Sequence, residues 1–445
     1  MTSTIRRKAQ EFISSKGFLK YFYNTSWLLS ERLINLGVAF FVGVYVARYL
    51  GPDGYGVLSF AQSIVGFATV FASLGIKNVL TRNLVQEADD YPRILGTAFG
   101  LRIAASVLSI VIVYFASAYL TDDRTTRLII IILSFNNFFQ SFEVIKSLFQ
   151  SKVLAKKIVP VAVIQTAVGA AIKIALVLVE ADLVWFAVVY VVELVVAAVG
   201  LTYLYYRGSR PSFINKFDVT YAKTLLKDSW PLIFSGFVVA IYMKIDQVMI
   251  KYMLDDAAVG LYAVAVKFTS IWYFIGGLIC SSLFPAVIQA KKRDPMLYEN
   301  RLQNLYELMV GIGLAIAIPI TIVAYPLIDL LYGADFIEAS SVMIIHVWSL
   351  IFVFLGAASN NWLLTENLQK YKLSRTILGA VVNVGLNFLL IPIYGIQGAA
   401  IATLVSQIMA SYVGYLLVSD TRKAFIMQSK ALVFTNMLKQ LKQSL

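Results

Sequence analysis

Twelve apolar stretches, each long enough to cross a lipid bilayer, constrain this chain more than any other feature. A helix of about twenty residues covers the ~30 Å hydrocarbon core of a membrane. The stretches lie at residues 22–47, 55–76, 94–119, 127–149, 158–179, 183–205, 230–251, 259–289, 302–325, 337–363, 373–391 and 394–418. They predict an all-α integral membrane protein with twelve transmembrane helices.

The basic residues are distributed unequally about these predicted spans. If the N-terminus is cytoplasmic, 29 of the 38 Lys and Arg residues fall on the cytoplasmic side and 4 fall outside. This asymmetry follows the positive-inside rule and predicts a multi-pass protein with both termini in the cytoplasm. The net charge of +13 is therefore assigned to basic loops beside anionic lipid headgroups, and no nucleic-acid partner is expected.

The composition argues against an enzyme. Hydrophobic residues make up 59% of the sequence and charged residues 14%, far from the values of soluble proteins. No connection between the predicted spans reaches thirty residues, which leaves no room for a soluble catalytic domain. The single cysteine, Cys280, excludes a disulfide within the chain and a cysteine-based metal site. We expect no catalytic residues and no cofactor other than a coupling ion.

Six spans precede a basic connector and six follow it, so the chain is expected to form two lobes. The predicted organisation is a cytoplasmic N-terminal segment at 1–21, an N-lobe at 22–205, a cytoplasmic connector at 206–229, a C-lobe at 230–418 and a basic cytoplasmic tail at 419–445. The tail is too polar to span a membrane and has the pattern of an amphipathic segment.

The two predicted lobes carry similar motifs at corresponding places. Residues 50–58 (LGPDGYGVL) resemble residues 254–262 (LDDAAVGLY), 204 positions later, and residues 166–170 (TAVGA) resemble 376–380 (TILGA) at an offset of 210. Six spans return the chain to the same side of the membrane, so the repeats are parallel and related by a pseudo-two-fold axis along the membrane normal. A transporter of this kind is expected to hold its substrate between the lobes.

Ionisable residues inside the spans are candidate functional residues, because burying a charge in hydrocarbon costs at least ~2.5–3.5 kcal/mol. Arg32 and Lys267 lie near the middle of their spans and are interpreted as facing a cavity. Arg102 lies closer to the inner surface and has snorkelling as an alternative. Lys244 is expected to reach the outer interface. The full set is Arg32, Arg102, Lys173, Lys244, Lys267, Glu143, Glu193 and Asp246.

A second group of polar residues suggests an ion site in the second lobe. Asn383 and Asn387 are four apart and share one helical face. With Thr403 and Asp246 they offer amide, hydroxyl and carboxylate oxygens, the ligands that hard cations such as sodium prefer. Hydrogen bonding between helices is the alternative interpretation of the two asparagines.

The offset of 210 maps Lys173 onto Asn383 and Glu193 onto Thr403. We therefore expect Lys173 and Glu193 to form a structural pair, with the lysine ammonium where an ion would sit in the other lobe. Proton coupling through Asp246 or Glu193 is an open alternative to sodium.

Several motifs resemble those of the polysaccharide repeat-unit flippases, which belong to the multidrug, oligosaccharidyl-lipid and polysaccharide exporter superfamily. The motifs are RYLGPDGYG at 48–56, SWP at 229–231, IYMKIDQVMI at 241–250, VGLY at 259–262, LYGADF at 331–336, and the stretch from Asn387 through IPIYGIQGAAIAT at 391–403. They follow the family's order over nearly the whole chain.

This resemblance implies two six-helix lobes that form a V around a central cationic cavity. It also implies transport of undecaprenyl-diphosphate-linked oligosaccharides across the bacterial cytoplasmic (inner) membrane, for O-antigen, lipopolysaccharide, capsule or exopolysaccharide synthesis. A monomer that works beside polysaccharide polymerase and chain-length proteins is expected. The diphosphate would bind Arg32, Lys267, Lys173 and Arg102.

By similarity to the related peptidoglycan-precursor flippases, sodium would bind at Asp246, Asn383, Asn387 and Thr403. Those relatives carry an acidic residue where this chain has Asn387, so the site here would hold one negative charge fewer. Weaker sodium binding, or proton coupling instead, is the expected consequence.

Three other functions compete with this interpretation. A cation-coupled multidrug exporter of the same superfamily would be expected to present an anionic cavity, whereas the intramembrane cations here favour an anionic substrate. A membrane-embedded polysaccharide polymerase or ligase would carry a large outer loop with clustered catalytic residues, and the sequence has no such loop. A non-transporting scaffold does not explain so many charges inside the spans.

Overall fold

The computed structural model describes residues 16–208 and 210–437, and the regular structure within them is entirely helical. The first 15 residues of the predicted N-terminal segment and residues 438–445 of the predicted tail lie outside the described residues. The α-helices up to the connector are α1 (Lys16–Ser73), α2 (Lys77–Gln86), α3 (Tyr91–Leu120), α4 (Arg124–Ser134), α5 (Asn136–Gln140), α6 (Glu143–Ser151), α7 (Ala155–Leu178) and α8 (Leu183–Tyr206).

The second half of the chain continues in the same way. Its α-helices are α9 (Val219–Met253), α10 (Asp256–Ser270), α11 (Tyr273–Lys291), α12 (Pro295–Tyr332), α13 (Ala339–His346), α14 (Ser349–Thr365), α15 (Lys370–Ser411) and α16 (Arg422–Leu432). Short 3-10 turns lie at Ala88–Asp90, Ala334–Phe336, Val413–Tyr415 and Ser419–Thr421.

Ten helical segments of the described residues are long and apolar enough to cross a membrane. Two of them are too long for one crossing: Tyr23–Gln86 has 64 residues and Lys370–Tyr415 has 46, whereas about twenty residues suffice. Gly51 (φ 67°, ψ 176°) and Gly395 (φ 57°, ψ −139°) interrupt these segments with backbone angles that favour glycine. If each of these two long segments crosses the membrane twice, the ten segments are compatible with twelve crossings. The number of crossings stays a prediction.

The chain divides into two compact units. Unit 1 contains the described residues up to Tyr49 together with Ile64–Phe237, and unit 2 contains Leu50–Ser63 together with the described residues from Val238 onward. The division falls inside α9, a few residues after the predicted start of the C-lobe at 230. The beginning of the second predicted span, Leu50–Ser63, groups with unit 2 although the sequence assigned it to the N-lobe.

The connector is fixed to unit 1 by its own side chains and backbone. Phe213 is buried in the core that α2, α3 and α6 form. The Tyr205 hydroxyl donates to the carbonyl oxygen of Pro211 at 2.7 Å, and the backbone N–H of Asp218 donates to Thr97 Oγ1 at 3.0 Å. These contacts hold the start of α9 in a defined position on unit 1.

In unit 2, α14 packs against α11, α12 and α15. The described part of the tail also packs on this unit rather than leaving it. Gln428 on α16 donates to Ser359 Oγ at 2.6 Å, and the Glu307 carboxylate accepts from the backbone N–H groups of Asn436 and Met437 at 2.8 and 3.0 Å. The tail therefore has a docked conformation, at least as far as Met437.

Candidate ion and substrate sites

A helical hairpin in unit 2 brings together the polar residues that the sequence proposed for the ion site. Asn387 lies eight residues before the break at Gly395, and Thr403 lies eight residues after it. Because the chain reverses at the break, the two residues return to the same depth. Asn383 lies one helical turn before Asn387 on the same face of the helix. Asp246 on α9 packs against Asn383, Asn387 and Thr403.

Direct hydrogen bonds connect this cluster. Asn387 Nδ2 donates to Asp246 Oδ1 at 2.5 Å and to Asn383 Oδ1 at 3.2 Å. Thr403 Oγ1 donates to Asp246 Oδ2 at 2.8 Å. Asp246 is only 4% exposed, and both asparagines are fully buried. The structure thus joins the four residues predicted at 246, 383, 387 and 403.

Tyr262 on α10 is a fifth member that the sequence analysis did not assign. Its hydroxyl donates to Asp246 Oδ2 at 2.7 Å and lies 3.1 Å from Thr403 Oγ1. The VGLY motif at 259–262 contained this residue, but sequence spacing gave no reason to place it beside Asp246. That proximity depends on how α9 and α10 pack.

The cluster has the donor chemistry of a site for a hard monovalent cation. Asn387 Oδ1 and Asn383 Nδ2 are buried and have no hydrogen-bond partner among the described residues. Rotation of the Asn387 amide would turn its oxygen toward Asp246, where it would add a neutral ligand to the carboxylate and the Asn383 oxygen. The described residues hold no group of three or more His, Cys, Asp or Glu side chains suited to a metal ion, and one carboxylate with neutral oxygens matches a sodium ion better than a transition metal.

Lys267, a predicted substrate contact, lies on α10 in the same unit. Its ammonium donates to the Tyr55 hydroxyl at 3.2 Å and lies 5.7 Å from the centre of the Tyr55 ring. Lys244 on α9 is close enough for the charge of Lys267 to repel it, and it makes no ion pair with any described carboxylate. Lys244 thus lies within electrostatic range of Lys267, a proximity that spacing in the sequence does not predict.

The predicted cations of unit 1 have different environments. Arg32 is exposed on α1, whereas the preceding Glu31 is buried and pairs with Lys146 at 3.6 Å. Arg102 is only 7% exposed within the packing of α3, where the charge of Glu143 attracts it. The structure therefore leaves Arg32 accessible and Arg102 enclosed.

Lys173 and Glu193 form an ion pair between α7 and α8. Lys173 Nζ lies 2.7 Å from Glu193 Oε1 and 4.0 Å from the centre of the Tyr190 ring. Gly169 makes room for the carboxylate, because a Cβ at this position would lie 1.8 Å from Glu193 Oε1. In unit 1, the positions that correspond to Asn383 and Thr403 of unit 2 are thus occupied by a lysine and by the glutamate that pairs with it.

The fold and these sites define an all-α, multi-pass membrane transporter, and comparison with known proteins gives its family. The model of the polysaccharide biosynthesis protein family matches residues 22–291, so the chain belongs to that family, the polysaccharide flippase branch of the superfamily inferred above. The MatE family model matches residues 231–389.

Two curated proteins are similar in sequence. One is a probable low-salt glycan biosynthesis flippase, Agl15, of Haloferax volcanii, with 24% identity over 389 residues, which cover 85% of this chain and 79% of that protein. The other is the capsular polysaccharide biosynthesis protein CapF of Staphylococcus aureus, with 23% identity over 187 residues, or 40% of this chain and 46% of that protein.

Solved structures share the fold at low sequence identity. The lipid II flippase MurJ in an inward closed conformation has a TM-score of 0.73 at 14% identity, over 94% of this chain and 93% of that one. An inward-facing multidrug resistance transporter of the MATE family has a TM-score of 0.71 at 15% identity, over 89% of this chain and 96% of that one. At this identity the likenesses show that the chain shares the fold of these structures.

Proposed function

We propose that this protein is a flippase that moves a lipid-linked, diphosphate-bearing oligosaccharide across the membrane. The observation that carries the proposal is an imbalance between the charged side chains within the spans. Four acids, Glu31, Glu193, Asp246 and Glu307, are engaged by cations or hydrogen-bond donors inside their own unit. In contrast, Arg32 and Lys244 make no ion pair with a described carboxylate. An anionic substrate therefore finds unpaired cations, whereas these four acids are already engaged and do not attract a cationic drug.

The acidic side chains within the helices support this argument one by one. The engaged acids are Glu31 with Lys146, Glu193 with Lys173, Asp246 with three neutral donors, and Glu307 with backbone N–H groups of the tail. Charges buried in this way are satisfied structurally, as the cost of burial requires. They are not available to attract a cationic substrate.

Arg32 and Lys267 are the proposed contacts of the diphosphate, each within its own unit, and Lys244 adds a third cation near Lys267. Arginine binds phosphate oxygens with two parallel hydrogen bonds, and lysine binds them as a point charge. Arg102 and Lys173, which were also expected to contact the diphosphate, have acidic neighbours in unit 1. In the proposal, Arg102 and Lys173 stabilise the packing of unit 1 through these acidic neighbours.

The proposed coupling ion is sodium or a proton bound at Asp246. An ion that binds one of two conformations more tightly shifts the equilibrium toward it, which is how ion binding would drive alternating access. Asn383, Asn387 and Thr403 would supply neutral oxygens around the carboxylate. The site could then release its ion when the hairpin at Gly395 moves relative to α9.

The finer details of the proposal follow the family. The substrate carrier is undecaprenyl diphosphate, the location is the bacterial cytoplasmic membrane, and twelve spans in two lobes leave both termini in the cytoplasm. The protein acts as a monomer beside polymerase and chain-length proteins of a surface polysaccharide pathway. The similarity to named glycan and capsule biosynthesis proteins supports this assignment.

The test is translocation of a fluorescent undecaprenyl-diphosphate oligosaccharide in proteoliposomes containing the full-length protein. Wild type is compared with Arg32→Ala, Arg32→Lys and a control, Lys157→Ala, which removes an exposed cation at the start of α7. We expect translocation by wild type and by Lys157→Ala, at least tenfold slower translocation by Arg32→Ala, and partial recovery with Arg32→Lys.

Two results would reject the proposal. Normal translocation by a correctly inserted Arg32→Ala, Lys267→Ala double variant would remove the cations from the mechanism. No translocation by wild type, together with ion-driven efflux of a cationic dye, would assign the protein to the drug exporters. Sodium-insensitive, pH-insensitive transport that also survives Asp246→Asn would remove the coupling ion alone.

A further inference from the structure

A cavity of about 620 Å³ lies at the end of unit 2 where α9 is followed by α10 and where α15 reverses at Gly395. In the proposed topology this end faces outward, away from the cytoplasm. None of the proposed substrate or ion contacts lines the cavity, so the proposed function leaves it without a role. Its polar lining, among the described residues, consists of Asp255, Tyr325, Glu338, Ser341, Tyr394 and Gln397.

The charged residues in this lining are both acidic. Asp255 Oδ1 accepts from the backbone N–H of Ala258 at 2.7 Å, and Glu338 is exposed. Neither carboxylate forms an ion pair with a described residue, and Lys251 at the end of α9 is paired with Asp256. A cleft lined by charges of one sign raises the local concentration of counter-ions. The mouth of the cavity therefore favours cations.

The helices that line the cavity also hold the Asp246 cluster. Leu254 directly follows α9, and its backbone N–H still donates to the Ile250 carbonyl oxygen at 2.8 Å. Eight residues of α-helix rise about 12 Å, so the cluster lies about that far inward from the cavity. Residues four apart share one helical face. The rows that run inward in this way are Leu254, Ile250 and Asp246 along α9; Gly395, Ile391 and Asn387, and Gly395, Ala399 and Thr403, along α15; and Ala258 and Tyr262 along α10.

Apolar side chains separate the cavity from the cluster. The middle members of the three longer rows are Ile250, Ile391 and Ala399, and none of them has any exposed surface. Hydrophobic constrictions close ion pathways because they exclude the water that an ion needs. An acidic mouth, an apolar layer and a buried cluster of oxygen ligands thus follow one another along the same helices.

We propose that unit 2 contains its own route for the coupling cation, leading from this cavity past Ile250 and Ile391 to the Asp246 cluster. The acidic mouth concentrates small monovalent cations, and the apolar layer closes the route in this conformation. The proposal rests on the coupling-ion part of the proposed function. It concerns access to the site and does not depend on which lipid-linked saccharide is carried.

The proposed diphosphate contact of unit 2, Lys267, lies on another side of α10. It follows the cavity residue Ala258 by nine positions, or about two and a half helical turns, so the two side chains lie on opposite faces of the helix. The cation and the phosphate would therefore approach unit 2 on different sides of α10. Separate paths keep the two opposite charges from pairing before each reaches its own site.

The experiment uses the full-length protein in right-side-out membrane vesicles. Cys280 is the single cysteine, so Cys280→Ser gives a background in which an introduced cysteine is the only thiol. Silver ion, a monovalent cation that binds thiolates, is added outside, and the thiols left free are counted with a fluorescent maleimide after denaturation. Ala399→Cys is the reporter. Ala400→Cys is the matched control, because this residue is equally buried at the same depth but faces another side of α15.

We expect silver to react about tenfold faster with Ala399→Cys than with Ala400→Cys, because only the former lies in the apolar layer of the route. Ile391→Cys, a second reporter in that layer, should behave like Ala399→Cys. Sodium that replaces the larger cation N-methylglucamine at constant ionic strength should slow the reaction at Ala399→Cys several-fold, because sodium follows the same route.

The acidic mouth is tested in the same reporter background. Asp255→Asn together with Glu338→Gln should slow the silver reaction about tenfold, the lower end of the effect of a charged cleft on association, and asparagine retains the cap of α10. Asp335→Asn is the control, since this exposed carboxylate lies at the same end of unit 2 outside the cavity lining. It should leave the rate unchanged.

Equal silver rates at Ala399→Cys and Ala400→Cys would overturn the route. An unchanged rate in the variant without the two acids would overturn the acidic mouth, and a rate that does not respond to sodium would reject the route as that of the coupling ion. Translocation of the lipid-linked oligosaccharide by the cysteine-free protein tests the flippase assignment separately, so either proposal can fail without the other.

Discussion

Gly56 and Gly260 allow the start of the second predicted span to cross α10 with their backbones in contact. A Cβ on Gly56 would lie 1.8 Å from the carbonyl oxygen of Asp256, and a Cβ on Gly260 would lie 2.0 Å from the carbonyl oxygen of Pro52. At the repeat offset of 204, Pro52 corresponds to Asp256 and Gly56 corresponds to Gly260. Each of the two contacts is therefore the repeat-related counterpart of the other. The close crossing gives a physical reason for the similarity between residues 50–58 and 254–262.

Gly260→Ala should destabilise the protein, because the methyl group meets a backbone oxygen that cannot rotate away. Overpacking of this kind costs about 1–3 kcal/mol, and we expect a clear fall in the temperature of thermal unfolding in detergent. Gly66→Ala on α1 is the control, since no atom lies within 4 Å of its added Cβ. Equal melting temperatures for the two variants would contradict the close crossing.

Removing one member of the ion pair in unit 1 should cost more than removing both. Lys173→Met leaves the largely enclosed Glu193 carboxylate without its ammonium, and a charged group that loses its partner in this way costs about 1–3 kcal/mol. The double variant Lys173→Met, Glu193→Leu removes both charges and should recover most of the lost stability. Thermal unfolding of the three proteins measures this. Additive losses in the double variant would show that the pair is not coupled.

The connector should lose part of its stabilisation in acid through Asp218. A hydrogen bond from the backbone N–H of Tyr221, joined by the Arg93 guanidinium, holds the pKa of the Asp218 carboxyl below its ordinary value of 3.8. Since the folded state prefers the ionised form, the stabilisation is present above the ordinary pKa and is lost as pH falls through the lowered one.

Asp218→Asn should therefore lower the melting temperature near neutral pH, and the difference from wild type should shrink as pH falls below the ordinary pKa of 3.8. Asp89→Asn is the control, because this exposed carboxylate makes no ion pair among the described residues. A difference for Asp218→Asn that is the same at pH 3 and pH 7 would mean that the charge of Asp218 has no role.

Local spacing explains which parts of the candidate sites the sequence could predict. Asn383 and Asn387 are four residues apart and share one helical face. One predicted span ends at 391 and the next begins at 394, so the chain was expected to return toward them with Thr403. The pairing of Lys173 with Glu193 follows in the same way from two adjacent helices. The all-α membrane fold needs only the length and polarity of the spans.

Contacts that depend on how separate helices pack were not predictable from spacing. Tyr262 reaches Asp246 only because α10 presents that face to α9, and no local pattern encodes this. Glu31 and Lys146 are 115 positions apart, and they form an ion pair. Glu31 lies within the first predicted span but was not among the intramembrane charges expected from the sequence. The approach of Lys244 to Lys267 likewise requires the two helices to be in place.

Asn387→Asp should convert the proposed ion site into one with two carboxylates. The new carboxylate would lie beside Asp246 Oδ1, which Asn387 Nδ2 now approaches at 2.5 Å. Two carboxylates at this separation cannot both be ionised without a cation between them, so one would hold a proton when sodium is absent. Sodium binding would then release that proton.

We therefore expect Asn387→Asp to bind sodium about tenfold more tightly at pH 8 than wild type, and to lose this advantage as pH falls toward 6. Sodium-induced thermal stabilisation across this range measures the change, and proton release on sodium addition checks the exchange directly. Asn361→Asp on α14, outside the cluster, is the control for an added charge. Sodium affinity that is unchanged in Asn387→Asp, or raised equally at all pH values, would show that the cation does not bind between residues 246 and 387.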